Sequence, residues 1–205
     1  VLINNDKVKV KAISDHLNHN YGETKHRVTF LFSSPTYLSK KIMWSELYNS
    51  FLEISKLTID FQFICRLRDD SHKNHPYLKD IFELINNDSR FIIEQVNFTT
   101  QELMTVSDLV ITSNTSFGIN EALVINKKVY TFDLMGNANL TLGEYGEKLV
   151  INSSEKLINV IKGLEDNFYG LDYDVEALTY DLNYFSDGMN CKRLREKIIN
   201  ETTHY

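Results

Sequence analysis

The chain has 205 residues, of which 42% are hydrophobic and 24% charged, and its formal net charge is −6. This size suits one globular domain, or one domain with a terminal extension. The acidic balance and the lack of a basic stripe argue against nucleic acid as a partner. They also argue against general attraction to anionic membranes, although a local patch for peripheral association with an inner membrane stays open.

The two cysteines, Cys65 and Cys191, are far apart and form no visible disulfide or metal framework, so we expect a protein of the reducing cytoplasm. The sequence has neither a signal peptide nor a run of about 18 apolar residues that would span a membrane. Because the chain begins with Val1 inside a mixed segment, we interpret it as part of a longer protein.

Three regions follow from the change in composition along the chain. Residues 1–26 are polar, rich in Asn, His and Lys, and show little periodicity, so we interpret them as a linker. Residues 27–165 are predicted to form one folded domain. Residues 166–205 are predicted to be an acidic and aromatic segment that ends in a closing helix at 189–200.

Short apolar runs and helical periodicities alternate between residues 27 and 165. The strands are predicted at 28–32, 61–66, 91–93, 109–112, 129–132 and 149–151, and the helices at 40–56, 77–85, 99–106, 117–125 and 153–164. Short strands that are apolar on both faces predict a Rossmann-like, three-layer α/β/α domain with a parallel sheet of about six strands. The absence of GxGxxG and Walker-type loops disfavours a dinucleotide oxidoreductase and a P-loop kinase.

The most informative segment is 106–123, where a buried strand runs into a polar turn and then a helix. The turn consists of small polar residues, Ser113, Asn114, Thr115 and Ser116, and Phe117 and Gly118 follow them. The helix that follows this turn has free N–H groups at its N-terminus, and these together with the polar side chains of the turn predict a phosphate site. Glu121 could reach the hydroxyls of a ribose, so residues 27–165 are interpreted as a nucleotide-binding domain. The alternative interpretation is that these residues are ordinary helix caps and that Glu121 is a dipole partner.

Other candidate residues follow the carboxyl ends of neighbouring predicted strands. Arg66 and Arg68 suit a diphosphate or a sugar carboxylate, or else form a salt-bridge cluster with the aspartates that follow them. Ser34 either reaches the same crevice or belongs to a turn. Asp133 either orients a ligand hydroxyl or caps the next turn.

The loop at 94–98 could hold a base, with Phe98 as a stacking platform. No residue is identified as a catalytic base, because no Ser/His/Asp order, HExxH motif or glycosidase-type carboxylate pair is found. No Asp-x-Asp pair stands at a strand end, so we expect no metal and no cofactor besides the co-substrate.

These motifs together resemble those of a known class of enzyme. The sequence reads Ser-Asp-Leu-Val-Ile-Thr at 107–112, then has a Ser/Thr-rich turn, Gly118, Glu-Ala-Leu at 121–123 and Lys-Val at 128–129. Residues 28–164 thereby resemble the C-terminal, donor-nucleotide-binding half of a GT-B glycosyltransferase. They are most similar to bacterial surface and capsule polysaccharide transferases, including those that use CMP-activated Kdo or sialic acid and the CDP-glycerol glycerophosphotransferases. The segment at 185–194 is similar to the closing helix of such proteins.

The resemblance implies roles for particular residues. Thr115, Ser116 and the Phe117 amide would hold the donor phosphate, and Glu121 would hold the ribose. The co-substrate would be a nucleotide-activated sugar or glycerol phosphate, and a glycan or lipid-linked acceptor would bind through a missing N-terminal half. A chain of this length cannot contain both halves, so we expect it to bind nucleotide without turnover on its own.

Two alternatives stay open, and one difference from the sequence pattern of the resembling families bears on them. The chain could be half of a sugar-nucleotide epimerase of the same architecture, or a non-catalytic Rossmann-like module. In the resembling families the second strand usually ends in Arg/Lys-Pro-His-Pro, whose His meets the phosphate. Here Arg68 takes the place of that His, which keeps the non-catalytic alternative open.

Overall fold

The structure is a computed structural model that describes residues 6–32, 41–67, 75–76, 78–94, 96–113, 118–133, 146–165, 173–175 and 177–179. Helices and strands alternate through these residues. In chain order they are α1 (Lys7–Tyr21), β1 (His26–Leu31), α2 (Lys41–Lys56), β2 (Phe61–Arg66), α3 (Lys79–Asn87), β3 (Phe91–Ile93), α4 (Thr100–Thr105), β4 (Leu109–Ser113), α5 (Gly118–Val124), β5 (Lys128–Phe132), α6 (Gly146–Leu149), β6 (Val150–Ile151) and α7 (Ser154–Glu165). The predicted helix at 189–200 lies outside the described residues.

The six strands form one sheet in the order β3-β2-β1-β4-β5-β6. Every neighbouring pair is parallel. The predicted parallel sheet and its strand positions are therefore confirmed, with bounds that differ by one or two residues. The strand order reverses between β1 and β4, which is the arrangement of a doubly wound Rossmann-like fold.

Helices cover both faces of the sheet because its strands carry apolar side chains on alternate sides. One face packs against α2, α3 and α7 and is rich in phenylalanine. On that face the ring of Phe63 stacks on that of Phe91 with their centroids 4.9 Å apart, and Phe51 also packs against Phe91. The other face packs against α1, α4 and α5. The predicted three-layer α/β/α architecture is confirmed.

The interpretation of the first 26 residues as a linker is wrong for α1, a helix of 15 residues that packs on the sheet. The Asp6 side chain caps it by accepting a hydrogen bond from the Lys9 amide at 3.0 Å. Only Ile13 and Leu17 of this helix are buried, and they pack against Ile64 and Leu103. Two apolar residues spaced by four form too narrow a stripe to stand out in a polar segment. The domain boundary at residue 27 stays a prediction.

A buried arginine joins α1 to the amino edge of the sheet. Arg27 is only 8% exposed, and its Nε donates to Gln62 Oε1 at 3.0 Å. Its two terminal nitrogens donate to Ser14 Oγ, at 3.0 Å, and to Asn18 Oδ1. Burial lowers the pKa of the Arg27 guanidinium, and the negative charge of Asp108 opposes that change. Neutral side chains thus satisfy this cation inside the protein, as buried polar groups require.

Side chains from outside the sheet cover its edge at β5 and β6. Because β6 pairs only with Thr131 and Phe132, the backbone of Val129 extends beyond it. The Tyr173 hydroxyl accepts a hydrogen bond from the Val129 amide at 3.0 Å and donates to the Val129 carbonyl at 2.7 Å. The Lys156 ammonium donates to the Val150 carbonyl. Such contacts protect an exposed strand edge from pairing with other chains.

We expect Tyr173→Phe to lower the free energy of unfolding by about 1–3 kcal/mol, because it leaves a backbone donor and acceptor unsatisfied. Urea unfolding followed by circular dichroism measures this difference. Tyr48→Phe is the control, since its half-buried hydroxyl has no hydrogen-bond partner among the described residues. Equal stability of the two variants would contradict a capping role for Tyr173.

Candidate functional site

Three of the predicted site residues lie at the carboxyl edge of the sheet. In the register of the strands, Leu31 of β1 lies opposite Arg66 on one side and Thr112 on the other. Ser113 lies one residue further out on β4, and Asp133 directly follows β5. Arg66, Ser113 and Asp133 therefore lie at one edge, on both sides of the point where the strand order reverses. Ligands of open parallel sheets bind in the crevice at this point.

Ser113 bridges β4 and β1 at the reversal point. Its hydroxyl donates a hydrogen bond to the Leu31 carbonyl at 3.1 Å. The helix α5 begins at Gly118, which is buried, and runs back toward the amino end of β5. Its N-terminus therefore faces the carboxyl edge, where its dipole favours negative charge. The position of the α5 N-terminus at the carboxyl edge agrees with the prediction, and the phosphate role of this position stays a prediction.

Glu121 lies in the first turn of α5 and is half-buried. Its Oε1 atom accepts a hydrogen bond from Gln101 Nε2 of α4 at 3.0 Å. The sequence did not single out Gln101, because the two residues are 20 positions apart and nothing in their spacing indicates a contact. This hydrogen bond gives the Glu121 carboxylate a defined partner on α4.

Arg66 ends β2 and is half-buried. Its Nη1 atom donates to the main-chain carbonyl of Glu94 at 3.1 Å. The aspartates of the salt-bridge alternative, Asp69 and Asp70, lie outside the described residues, so that alternative stays open. This hydrogen bond holds the guanidinium at the carboxyl edge through a neutral acceptor, and a guanidinium can bind anions.

Glu94 is a structural residue of this edge that the sequence did not identify. It is only 2% exposed, and its carboxylate accepts hydrogen bonds from the Val96 amide at 2.9 Å and the Asn97 amide at 2.8 Å. It also accepts one from Asn97 Nδ2 at 3.0 Å. Burial by itself would raise the pKa of Glu94, but these bonds and the charge of Arg66 outweigh it and lower the pKa. In the sequence, the one indication of this role was Asn97, a short polar residue three positions after Glu94.

The prediction that Phe98 is a stacking platform for a base does not agree with its surroundings. The Phe98 ring lies edge-on to the His16 ring of α1, with centroids 5.1 Å apart, and packs beside Leu103. Phe98 is thus half-buried between α1 and α4. The apolar side chain that the loop exposes is Val96, which is 90% exposed.

Asp133 is almost fully buried, at 1% exposure, and its amide donates to the Ile151 carbonyl at 2.9 Å. Whether it orients a ligand or caps a turn stays open. The remaining predicted residues, Ser34, Arg68, Asn114, Thr115, Ser116 and Phe117, lie outside the described residues. Within the described ranges, no group of three or more His, Cys, Asp or Glu side chains could hold a metal ion.

A groove with a volume of about 750 Å³ lies elsewhere, between α2 and α3. Ser55, Ser89 and Arg90 place one end of it near the amino end of β3, away from the carboxyl edge. Asp80 and Glu83 also line it, and their charge would repel a phosphate. Because of this negative charge, the groove is a less favourable nucleotide site than the carboxyl edge.

None of the helices in the described part of the chain is long and apolar enough to cross a membrane.

The lowered pKa of Glu94 predicts a pH-dependent contribution to stability. A carboxyl whose folded pKa is lowered stabilises the fold above its unfolded pKa, about 4.3, and loses that contribution as the pH falls further. We therefore expect wild type to exceed Glu94→Gln in free energy of unfolding above about pH 5, and the difference to shrink toward lower pH. Urea unfolding at a series of pH values measures it, with Glu83→Gln, an exposed glutamate on α3, as the control for lost charge. A difference that is constant with pH would contradict this assignment.

No protein-family model and no curated protein sequence matches the chain. Among solved structures, it is similar to Anabaena HepE in complex with UDP and glucose, with a TM-score of 0.60 and 16% identity over 95% of this chain and 53% of that chain. It is similar to a Listeria monocytogenes protein described as a UDP-N-acetylglucosamine 2-epimerase, with a TM-score of 0.59 and 15% identity over 93% of this chain and 48% of that one. It is also similar to the wall teichoic acid polymerase TagF, with a TM-score of 0.56 and 17% identity over 98% of this chain and 50% of that one. The chain spans about half the length of these proteins, and at such identities the likeness is one of fold: a GT-B-like, Rossmann-type α/β fold.

Proposed function

We propose that this chain binds the nucleotide of an activated donor and is the donor half of a GT-B glycosyltransferase. The observation that carries the proposal is the reversal of strand order between β1 and β4, with Arg66, Ser113 and the start of α5 gathered at that carboxyl edge. The transferred group would be a sugar or glycerol phosphate, and the product a bacterial cell-surface polysaccharide. The protein would act in the cytoplasm or at the inner face of the membrane.

The names of the similar proteins support the class of ligand. HepE was solved with UDP and glucose, and the Listeria protein is described as acting on UDP-N-acetylglucosamine. TagF is named as a polymerase of wall teichoic acid. Uridine diphosphate and a sugar are common to the first two names, and a cell-surface polymer is the product in the third.

In the proposed reaction with a sugar donor, an acceptor hydroxyl displaces the nucleoside phosphate directly at the activated carbon of the donor. The bond from that carbon to the phosphate oxygen breaks, and its electron pair stays on the phosphate. The N–H groups at the start of α5 and the Arg66 guanidinium would stabilise the negative charge that develops there. The proton of the acceptor hydroxyl would pass to a base in a second, N-terminal half of the enzyme.

Glu121 would bind the ribose in this proposal. Its carboxylate is an acceptor for hydroxyl groups, and it lies one turn from the phosphate-binding end of α5. Thr115, Ser116 and the Phe117 amide would complete the phosphate site.

A sugar-nucleotide epimerase is the second candidate, because the fold is also similar to that of the Listeria protein. Both activities would bind the nucleotide in the same way. They differ in the fate of the sugar, since an epimerase releases an epimerised sugar, whereas a transferase links the sugar to a glycan. Product analysis with the full-length protein distinguishes them.

We expect a thermal-shift panel of CMP, CDP, UDP, GDP and ADP to identify the nucleotide. A ligand at about 100 times its Kd stabilises a protein by about 2.7 kcal/mol, which raises the Tm of a domain of this size by about 5–10 °C. A shift with a cytidine or uridine nucleotide would support the donor role. The absence of a shift with every nucleotide would favour the non-catalytic alternative.

We expect Glu121→Ala and Ser116→Ala each to weaken nucleotide binding about 10- to 100-fold, because each removes a hydrogen bond to ribose or to a charged phosphate. Isothermal titration measures the Kd, and thermal unfolding without ligand verifies that the variants stay folded. Glu53→Ala, an exposed glutamate on α2, is the control. Unchanged affinity in both site variants would refute the assignment.

A further inference from the structure

We propose that Gln101 is a positioning residue that orients the Glu121 carboxylate for the vicinal hydroxyls of a ribose. The inference rests on the proposed function and adds a residue from a different helix to it. Gln101 donates from Nε2 to Glu121 Oε1 at 3.0 Å, and the two side chains come from the first turns of α4 and α5.

The two helices are fixed to one another below this contact. Met104 of α4 packs in the same buried cluster as Ile119, Ala122 and Leu123 of α5. The contact therefore joins two helices whose separation is set by close packing. A side chain that reaches across such a fixed gap holds its partner in one orientation.

The first turn of α4, which carries Gln101, is itself held in place. Thr99 and Glu102 form a capping box, in which the Thr99 hydroxyl accepts from the Glu102 amide at 3.2 Å and Glu102 Oε2 accepts from the Thr99 amide at 2.7 Å. The Lys9 ammonium of α1 lies 2.6 Å from Glu102 Oε1. Its hydrogen bond holds the pKa of Glu102 at about 2. Three contacts thus order the backbone from which Gln101 extends.

The chemistry of the pair suits hydroxyl binding. An amide donor occupies one oxygen of the Glu121 carboxylate without neutralising its charge. Oε2 has no hydrogen-bond partner among the described residues and is left as the acceptor. A carboxylate that is oriented before the ligand arrives loses less side-chain freedom on binding. Vicinal hydroxyls benefit from this orientation, because both of them can donate hydrogen bonds to the same carboxylate.

The test compares ribonucleotides with analogues that lack the hydroxyls. Wild type, Gln101→Leu, Glu121→Gln and the control Asn86→Leu, an exposed amide on α3, are each titrated with CDP, UDP, GDP and ADP and with the 2′,3′-dideoxy form of each. We expect wild type and Asn86→Leu to prefer the ribonucleotide. Gln101→Leu should reduce that preference about 3- to 10-fold, as expected for one hydrogen bond, without changing the affinity for the dideoxy form.

The outcomes separate this inference from the proposed function. If Glu121→Gln removes the preference and Gln101→Leu does not change it, the positioning role is wrong and the donor site stands. If Gln101→Leu weakens ribonucleotide and dideoxynucleotide equally, its role is structural and the inference is likewise overturned. If wild type binds none of the nucleotides, the proposed function fails and the inference fails with it.

Discussion

Parallel pairing of all the strands is the constraint on which the rest of the structure depends. Parallel neighbours require a crossover connection, so every strand leaves the sheet at the same edge. The segments after β1, β2, β3, β4 and β5 therefore begin side by side. The reversal of direction between β1 and β4 sends the crossovers to opposite faces and leaves a crevice between them. Arg66 and Asp133, which are far apart in the chain, reach one edge for this reason.

The two edges of the sheet satisfy their polar groups in different ways. At the amino edge, Arg27 is enclosed by neutral acceptors from β2 and α1, and this network holds the first helix to the sheet. At the carboxyl edge, Arg66 and Glu121 each receive a partner that leaves their charge in place. A cation bound to a carbonyl and an anion bound to an amide are still able to bind charged and hydroxyl groups of a ligand. The first edge is suited to stability and the second to recognition.

Partly buried hydrogen bonds in the loop after β3 and at the end of β4 hold segments of that second edge together. Glu94 fixes the loop after β3 through its carboxylate and holds Arg66 through its carbonyl, while Ser113 closes the gap between β4 and β1. The likeness to HepE and TagF covers about half of each of those proteins. If a second half faces this edge as proposed, the acceptor and the catalytic base would approach a surface that is already ordered by these contacts.

The sequence by itself determined the architecture, because hydrophobic periodicity and short two-faced apolar strands are local properties that predict buried parallel strands. It also indicated the positions of Arg66 and Ser113 at the ends of strands and of Glu121 in the first turn of a helix, while their roles stay predictions. It missed α1, whose buried stripe is only Ile13 and Leu17, and it assigned Phe98 to a ligand rather than to His16. Only the tertiary structure decided that Gln101 meets Glu121, because this contact joins residues whose proximity is set by helix packing and not by spacing in the chain.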